Sequence, residues 1–294
     1  MRQVFNNRRA IAFFLAPALL VYLGVIVIPV VWSLVYSLFK GSPAAGFSFT
    51  GLTNFRALFS DPTISQSFWF TIKYAAILSF GQIAIGYGLA LFFKFVLRRS
   101  STFIRTLVFF PVVLPTVAVA LLFTQLFAVT PQLGPIDSIV HLFGVHPVDW
   151  FVSGSHAFVV IMAMDLWRSV GLFAVILYVG LLDIPDEVIE SARLDGASGF
   201  GLLRRIILPM SRPIVVAATI FALNADLKVF DSILALTNGG PGTATTPLNL
   251  CRFQESFDYN NWGYGSAIAV LITLLSLVVT LVVFRSLRRD LTKG

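Results

Sequence analysis

Long uncharged apolar runs, separated by clusters of arginine and lysine, organise this chain from end to end. The first covers residues 10–39 behind Arg2, Arg8 and Arg9, and the second covers 74–93, stopping at Lys94, Arg98 and Arg99. A third, 106–128, contains Pro111 and Pro115, which predicts a kinked helix that its neighbours must support. The fourth, 156–182, is apolar except for Asp165 and Arg168, and the fifth, 213–236, except for Asp226, Lys228 and Asp231. The sixth, 263–284, is uncharged and ends at Arg285, Arg288 and Arg289. About 20 apolar helical residues cross a hydrocarbon core, so the pattern predicts an all-α integral membrane protein of six transmembrane helices. The first run is too long, and too poor in a small-residue cleavage site, to read as a removable signal peptide.

Charge orients these spans. Fifteen of the 21 Lys and Arg residues lie in the amino tail, the second-to-third connection, the fourth-to-fifth connection and the carboxyl tail. Cations flanking spans are held on the cytoplasmic side, so both termini are expected there, and the net charge of +7 follows from topology without a nucleic-acid partner. With 57% hydrophobic and 12% charged residues, the 294 residues read as a single transmembrane domain, 1–294, with membrane lipid as solvent and little room for a soluble domain. Trp32, Trp69, Trp150 and Trp262 suit the membrane interfaces.

Catalytic chemistry is sparse. The single Cys251 excludes an internal disulfide framework and a paired-thiol redox centre. His141, His146 and His156, near Asp137 and Asp149, match no compact metal signature, so no metal site is expected. No Ser-His-Asp elbow or paired catalytic carboxylates stand out, and none of the five lysines follows a glycine-rich phosphate cradle. The chain is therefore expected to have no catalytic residues and to bind no cofactor itself.

Charges within the spans are the candidates for function, because each costs on the order of 3 kcal/mol at mid-membrane. Asp165 and Arg168 share one helical side and are placed to pair as a structural unit; Arg168 is also at a depth to meet Asp226. With Trp167 and Asn224 they make a candidate substrate cavity or gate: Asp165, Trp167, Arg168, Asn224 and Asp226. Planar hydrogen-bonding groups beside aromatic faces suit a sugar, with hydroxyls on its rim and C–H groups on its faces. Lys228 and Asp231 read as snorkelling or loop-anchoring groups nearer the outer surface.

The connection 183–212 is unlike the others. Pro185 opens a short helix, Asp186, Glu187 and Glu190 lie near its positive end, and Gly196 suits its stop. Val188, Ile189 and Ala192 share an apolar side for which another protein is the expected cover.

Glu190-Ser191-Ala192, three residues, Gly196, nine residues, then Ile206-Ile207-Leu208-Pro209 resembles the signature loop of ABC importer permease subunits, Glu-Ala-Ala-x3-Gly-x9-Ile-x-Leu-Pro, with Ser191 its one departure. Thr50-Gly51-Leu52-Thr53-Asn54-Phe55, and Leu236-Thr237-Asn238 followed by Gly239, Gly240, Pro241 and Gly242, resemble the carbohydrate-uptake, maltose-type branch. The resemblance implies a multi-pass subunit of a bacterial or archaeal cell membrane with a coupling helix between spans four and five. It implies that Glu190, Ser191, Ala192, Gly196, Ile206, Leu208 and Pro209 serve coupling to an ATPase, and that Gly239 to Gly242 lie at the docking face for an extracytoplasmic solute-binding protein. Also implied are a second permease subunit, forming a heterodimer, and two ATPase subunits that carry ATP and magnesium. The expected activity is inward movement of a sugar or sugar derivative by alternating access. A phosphorylated polyol is the alternative cargo, and an ion-coupled secondary carrier the alternative class.

Overall fold

A computed structural model describes residues 8–97, 101–129, 132–144 and 146–288. Arg2, Arg98, Arg99, Arg289 and Lys293 lie outside the described residues. The described parts of Met1–Ile64 with Cys251–Thr273 form one compact unit, and those of Ser65–Leu250 with Leu274–Gly294 form another.

In the first unit, α1 (Ile11–Tyr36) is apolar and exposed to its surroundings along its length. An antiparallel hairpin follows, β1 (Phe39–Ser42) with β2 (Gly46–Phe49), in register from Phe39 opposite Phe49 to Ser42 opposite Gly46. Among the described residues this hairpin is the one sheet in an otherwise helical chain. Its anchor is the buried Asn54, whose side-chain amide donates to the Ser37 and Phe39 carbonyls, each at 2.8 Å. Asn54 lies on the short helix α2 (Thr53–Ser60).

Helix α3 (Pro62–Phe95) starts twelve residues before the expected Tyr74. Asp61 caps it, accepting from the Thr63 backbone N–H at 2.8 Å, and Pro62 occupies the first helical position. Lys73, which marks the edge of the apolar run in sequence, sits with its ammonium 4.4 Å from the centre of the Phe158 ring, so a helix can carry it into the bundle.

The third expected span is two helices, α4 (Ser101–Val113) and α5 (Thr116–Leu126), bent by 95° at their junction. Pro115 lacks an N–H and restricts the residue before it, which turns the expected kink into a break. The short α6 (Pro135–Leu142) precedes α7 (Gly154–Leu182), close to the expected fourth span. Helix α8 (Asp186–Leu194) lies in the fourth-to-fifth connection.

The fifth span is displaced from its expected 213–236 to α9 (Gly199–Asp226). It begins early because a π turn at Leu203–Ile207 absorbs Pro209: the Leu208 N–H bonds to the Leu203 carbonyl, five residues back. The wider turn gives room to a proline that cannot donate. The same device, Leu23–Val27, precedes Pro29 in α1. Helix α9 stops at Asp226, and α10 (Asp231–Leu236) is separate and packs on α5. Helix α11 (Leu248–Phe253) leads to α12 (Trp262–Arg288), close to the sixth expected run. Among the described residues, five helices have the length and apolarity of a crossing by themselves, and the bent α4–α5 pair is a sixth candidate.

Helices α4 and α7 pack closely at Gly171, where a Cβ would collide with the Val108 carbonyl. Glycine-to-alanine in an open helix is ordinarily stabilising by about 0.5–1 kcal/mol. Gly171→Ala is expected to reverse that sign, lowering stability by about 1–3 kcal/mol through overpacking. Gly88→Ala, with nothing within 4 Å of the added carbon, should not, and melting of the two purified variants in detergent compares them.

Candidate functional site

Three spans meet at a cavity of about 300 Å³ whose polar lining includes Tyr74 and Gln82 from α3, Asp165, Arg168 and Ser169 from α7, and Asp226 from α9. Phe173 and Phe221 supply apolar wall. Asp165 lies eleven residues into α7, about 17 Å along its axis, a depth suited to the middle of a hydrocarbon core of about 30 Å.

The lining side chains are linked in one network. The Tyr74 hydroxyl donates to Asp165 Oδ2 at 2.6 Å, and Arg168 Nε stands 3.9 Å from Asp165 Oδ1. The Ser169 hydroxyl donates to the Asp165 carbonyl at 2.5 Å and receives Gln82 Nε2 at 2.9 Å. Gln82 Nε2 also approaches Asp226 Oδ1 at 3.4 Å, while Ser79 donates to Asp226 Oδ2 at 2.6 Å. Both aspartates are buried, and each receives side-chain donors from another span, as a low-dielectric interior requires. Two buried atoms in this wall have no hydrogen-bond partner: the acceptor Gln82 Oε1 and the donor Arg168 Nε, whose 3.9 Å ion pair with Asp165 is too long for a hydrogen bond. With Gln82 only 2% exposed, its carbonyl oxygen calls for a donor from the cavity.

The structure thus brings Asp165, Arg168 and Asp226 together and excludes two of the five expected residues. Asn224 turns away, its amide donating to the Ile220 carbonyl at 2.9 Å and to Thr280 on α12 at 2.8 Å. Trp167 packs beside Phe123, ring centres 5.9 Å apart, and is not among the cavity's lining residues. Of the two pairings open to Arg168, the ion pair is with Asp165. Lys228 and Asp231, read in sequence as peripheral anchors, line this same cavity. Tyr74, Ser79 and Gln82 are uncharged polar residues within or at the edge of an apolar run, and such residues give no charge signal in the sequence. The Gly239–Gly242 segment is a reversal closed by the Thr245 N–H and the Thr246 hydroxyl on the Gly239 carbonyl, at 3.0 and 3.1 Å. Gly239 is buried and Gly242 exposed.

Helix α8 ends as its sequence suggests. Gly196 has φ +89°, a left-handed conformation that favours glycine. The Ala197 N–H reaches the Ala192 carbonyl at 2.9 Å and the Gly196 N–H the Arg193 carbonyl at 3.0 Å, the paired bonds of a Schellman stop. Its apolar side, however, is already covered by this chain. Ile189 and Ala192 are buried in a cluster with Leu181, Ile184, Leu202 and Ile207, which corrects the expectation that another protein covers them. In particular, Ala192 offers no open docking surface; its small side chain admits close packing beneath the helix. The open face is Glu187, Glu190, Ser191 and Leu194, spaced as one helical stripe. Leu194 is 89% exposed and the nearby Phe200 74%. Ile206 is half-buried, and Leu208 and Pro209 are exposed at the π turn.

A multi-span helical membrane protein with a shared polar cavity and a short helix set outside its spans is the class these features define. Residues 82–293 match the family described as binding-protein-dependent transport system inner membrane component. The chain belongs to that family: it is a multi-pass membrane transport component, a permease. It is 32% identical over 285 residues to the sulfoquinovosyl glycerol transport system permease protein SmoG of Agrobacterium fabrum, covering 96% of this chain and 92% of that one. It is 31% identical over 280 residues to the trehalose/maltose transport system permease protein MalF of Thermococcus litoralis, covering 93% and 92%. A chain of a bacterial ABC transporter involved in import of the acidic polysaccharide alginate shares the fold, with TM-score 0.84, 20% identity and 98% of both chains covered.

Replacing Tyr74 with Phe removes a donor from buried Asp165. A loss of about 1–3 kcal/mol is expected, read as a lower unfolding temperature of the purified chain, with Tyr22→Phe, at an exposed position, as the neutral comparison.

Proposed function

We propose that this chain is the permease of an ABC importer for a sugar or sugar derivative, with the Tyr74–Gln82–Asp165–Arg168–Asp226 cavity in the substrate's path. The observation that carries the cargo class is two atoms in the cavity wall without a hydrogen bond, the acceptor Gln82 Oε1 and the donor Arg168 Nε. A hydroxyl donates to the first and accepts from the second, and a polyhydroxylated ligand offers several in one plane. The names of the relatives, sulfoquinovosyl glycerol and trehalose/maltose transport permeases, support the same class.

Driving force comes from outside the chain in this reading. Two copies of an ATPase subunit bind ATP and magnesium, and each grips one permease of a heterodimer. The Glu187, Glu190, Ser191 and Leu194 stripe is the docking face, with Leu194 and Phe200 as apolar anchors; Gly196 sets the end of the helix, and Ile206, Leu208 and Pro209 set its junction with the fifth span. Both termini and this helix face the cytoplasm, consistent with the cation distribution. An extracytoplasmic binding protein meets the opposite face near Pro241 and Gly242 and hands over the substrate. ATP binding draws the coupling helices together and opens the cavity outward; hydrolysis resets it inward.

Two variants test the halves separately. Gln82→Leu is expected to lower labelled-sugar uptake by about tenfold, the loss of one hydrogen bond to substrate, while the ATPase subunit stays bound; unchanged uptake rejects Gln82 as a contact. Leu194→Asp is expected to shed the ATPase subunit on co-purification with the permease still folded. Retention at wild-type level rejects the docking face.

A further inference from the structure

Lys94 is the last charged residue of α3, and its half-buried ammonium bonds to backbone. Nζ donates to the Leu181 carbonyl at 2.6 Å and to the Ile184 carbonyl at 3.2 Å. Leu181 belongs to the last turn of α7, and Ile184 lies in the elbow between α7 and α8. Terminal carbonyls of a helix have no donor within the helix and form the negative end of its dipole. A single cation thus ties the end of the second span to the backbone that joins the fourth span to the coupling helix.

The surroundings hold this contact in place. Phe93, Leu181, Ile184 and Ile189 are buried around the elbow, and Phe93 meets Tyr178 edge-on with ring centres 6.2 Å apart. Lys94 also lines an open cleft of about 320 Å³ with Asp186, Glu190 and Arg193, so it faces the coupling helix itself. On the same helix, twelve residues earlier and about 18 Å along the axis, is Gln82; covalently joined to the elbow is α7 with Asp165 and Arg168. Movement of α8 therefore reaches one wall of the cavity through the chain and the other through Lys94.

We propose that Lys94 is a positioning residue for coupling: its two bonds to the elbow make the second and fourth spans move together when the coupling helix is displaced. This inference rests on the reading of α8 as the ATPase docking helix. A surface lysine that only marks the membrane boundary has no need of two backbone acceptors at the elbow.

The test uses the full complex, with binding protein, in liposomes, and reads sugar taken up per ATP hydrolysed. Lys94→Met is expected to keep the ATPase subunit bound and hydrolysis near wild type while uptake per ATP falls about tenfold, a coupling change of ordinary size. Lys94→Arg should recover most of it. Unchanged uptake per ATP in Lys94→Met overturns the proposal, and so does a parallel fall of hydrolysis and uptake, which is the mark of a purely structural role. Should Lys94→Met fail to assemble, Lys94→Cys is used instead: aminoethylation of the assembled complex rebuilds an ammonium and should restore uptake per ATP, with treated wild type as reference. No recovery after complete modification overturns the proposal. Failure of the docking reading is seen separately, as full retention of the ATPase subunit by Leu194→Asp.

Discussion

Hydrocarbon offers no hydrogen bonds, so a polar group carried into a span must be answered by a group on another span. That constraint governs the centre of this protein. Asp165 on α7 and Asp226 on α9 both draw donors from α3, through Tyr74, Ser79 and Gln82. These residues couple three helices that an apolar surface alone would leave free to slide, because lipid competes with any apolar contact. The cavity forms where the network stops short of closing on itself, at Gln82 Oε1 and Arg168 Nε.

Backbone groups obey the same constraint. Proline removes a donor from a helix that has no water to replace it; Pro17, Pro111 and Pro213 sit within helices, and at three other prolines the helix itself changes. Before Pro29 and Pro209 a π turn widens the helix and keeps it continuous. At Pro115 the helix breaks and turns by 95°. The early start of α9 is one consequence: its first turns lie in the signature loop, so the segment that resembles a coupling element is mechanically continuous with the span carrying Asp226.

Helix α8 shows how the apolar side chains of a short helix are divided. Ile189 and Ala192 face the chain's own core, while Leu194 at its end is exposed, as is Phe200 at the start of α9. The inward half seats the helix against the chain's own core; the outward half is exposed. Gly196 belongs to the first task, since its left-handed backbone ends the helix and lets Ala197 return to the same core.

The amino-acid sequence by itself determined the membrane class, most of the spans, the helix and glycine stop of the 183–212 connection, and the presence of charges within spans four and five. All of these follow from local composition and short spacings, which a single segment carries within itself. The tertiary structure alone decided which polar residues of different spans meet. Ser79 and Asp226 are 147 residues apart, and Tyr74 and Asp165 are 91 apart, distances over which no periodicity speaks. It also decided that Asn224 and Trp167 leave the cavity, that Lys228 and Asp231 enter it, and that the apolar side of α8 turns inward. Each depends on the direction of a side chain relative to a neighbouring helix, and that direction exists only once the helices have packed.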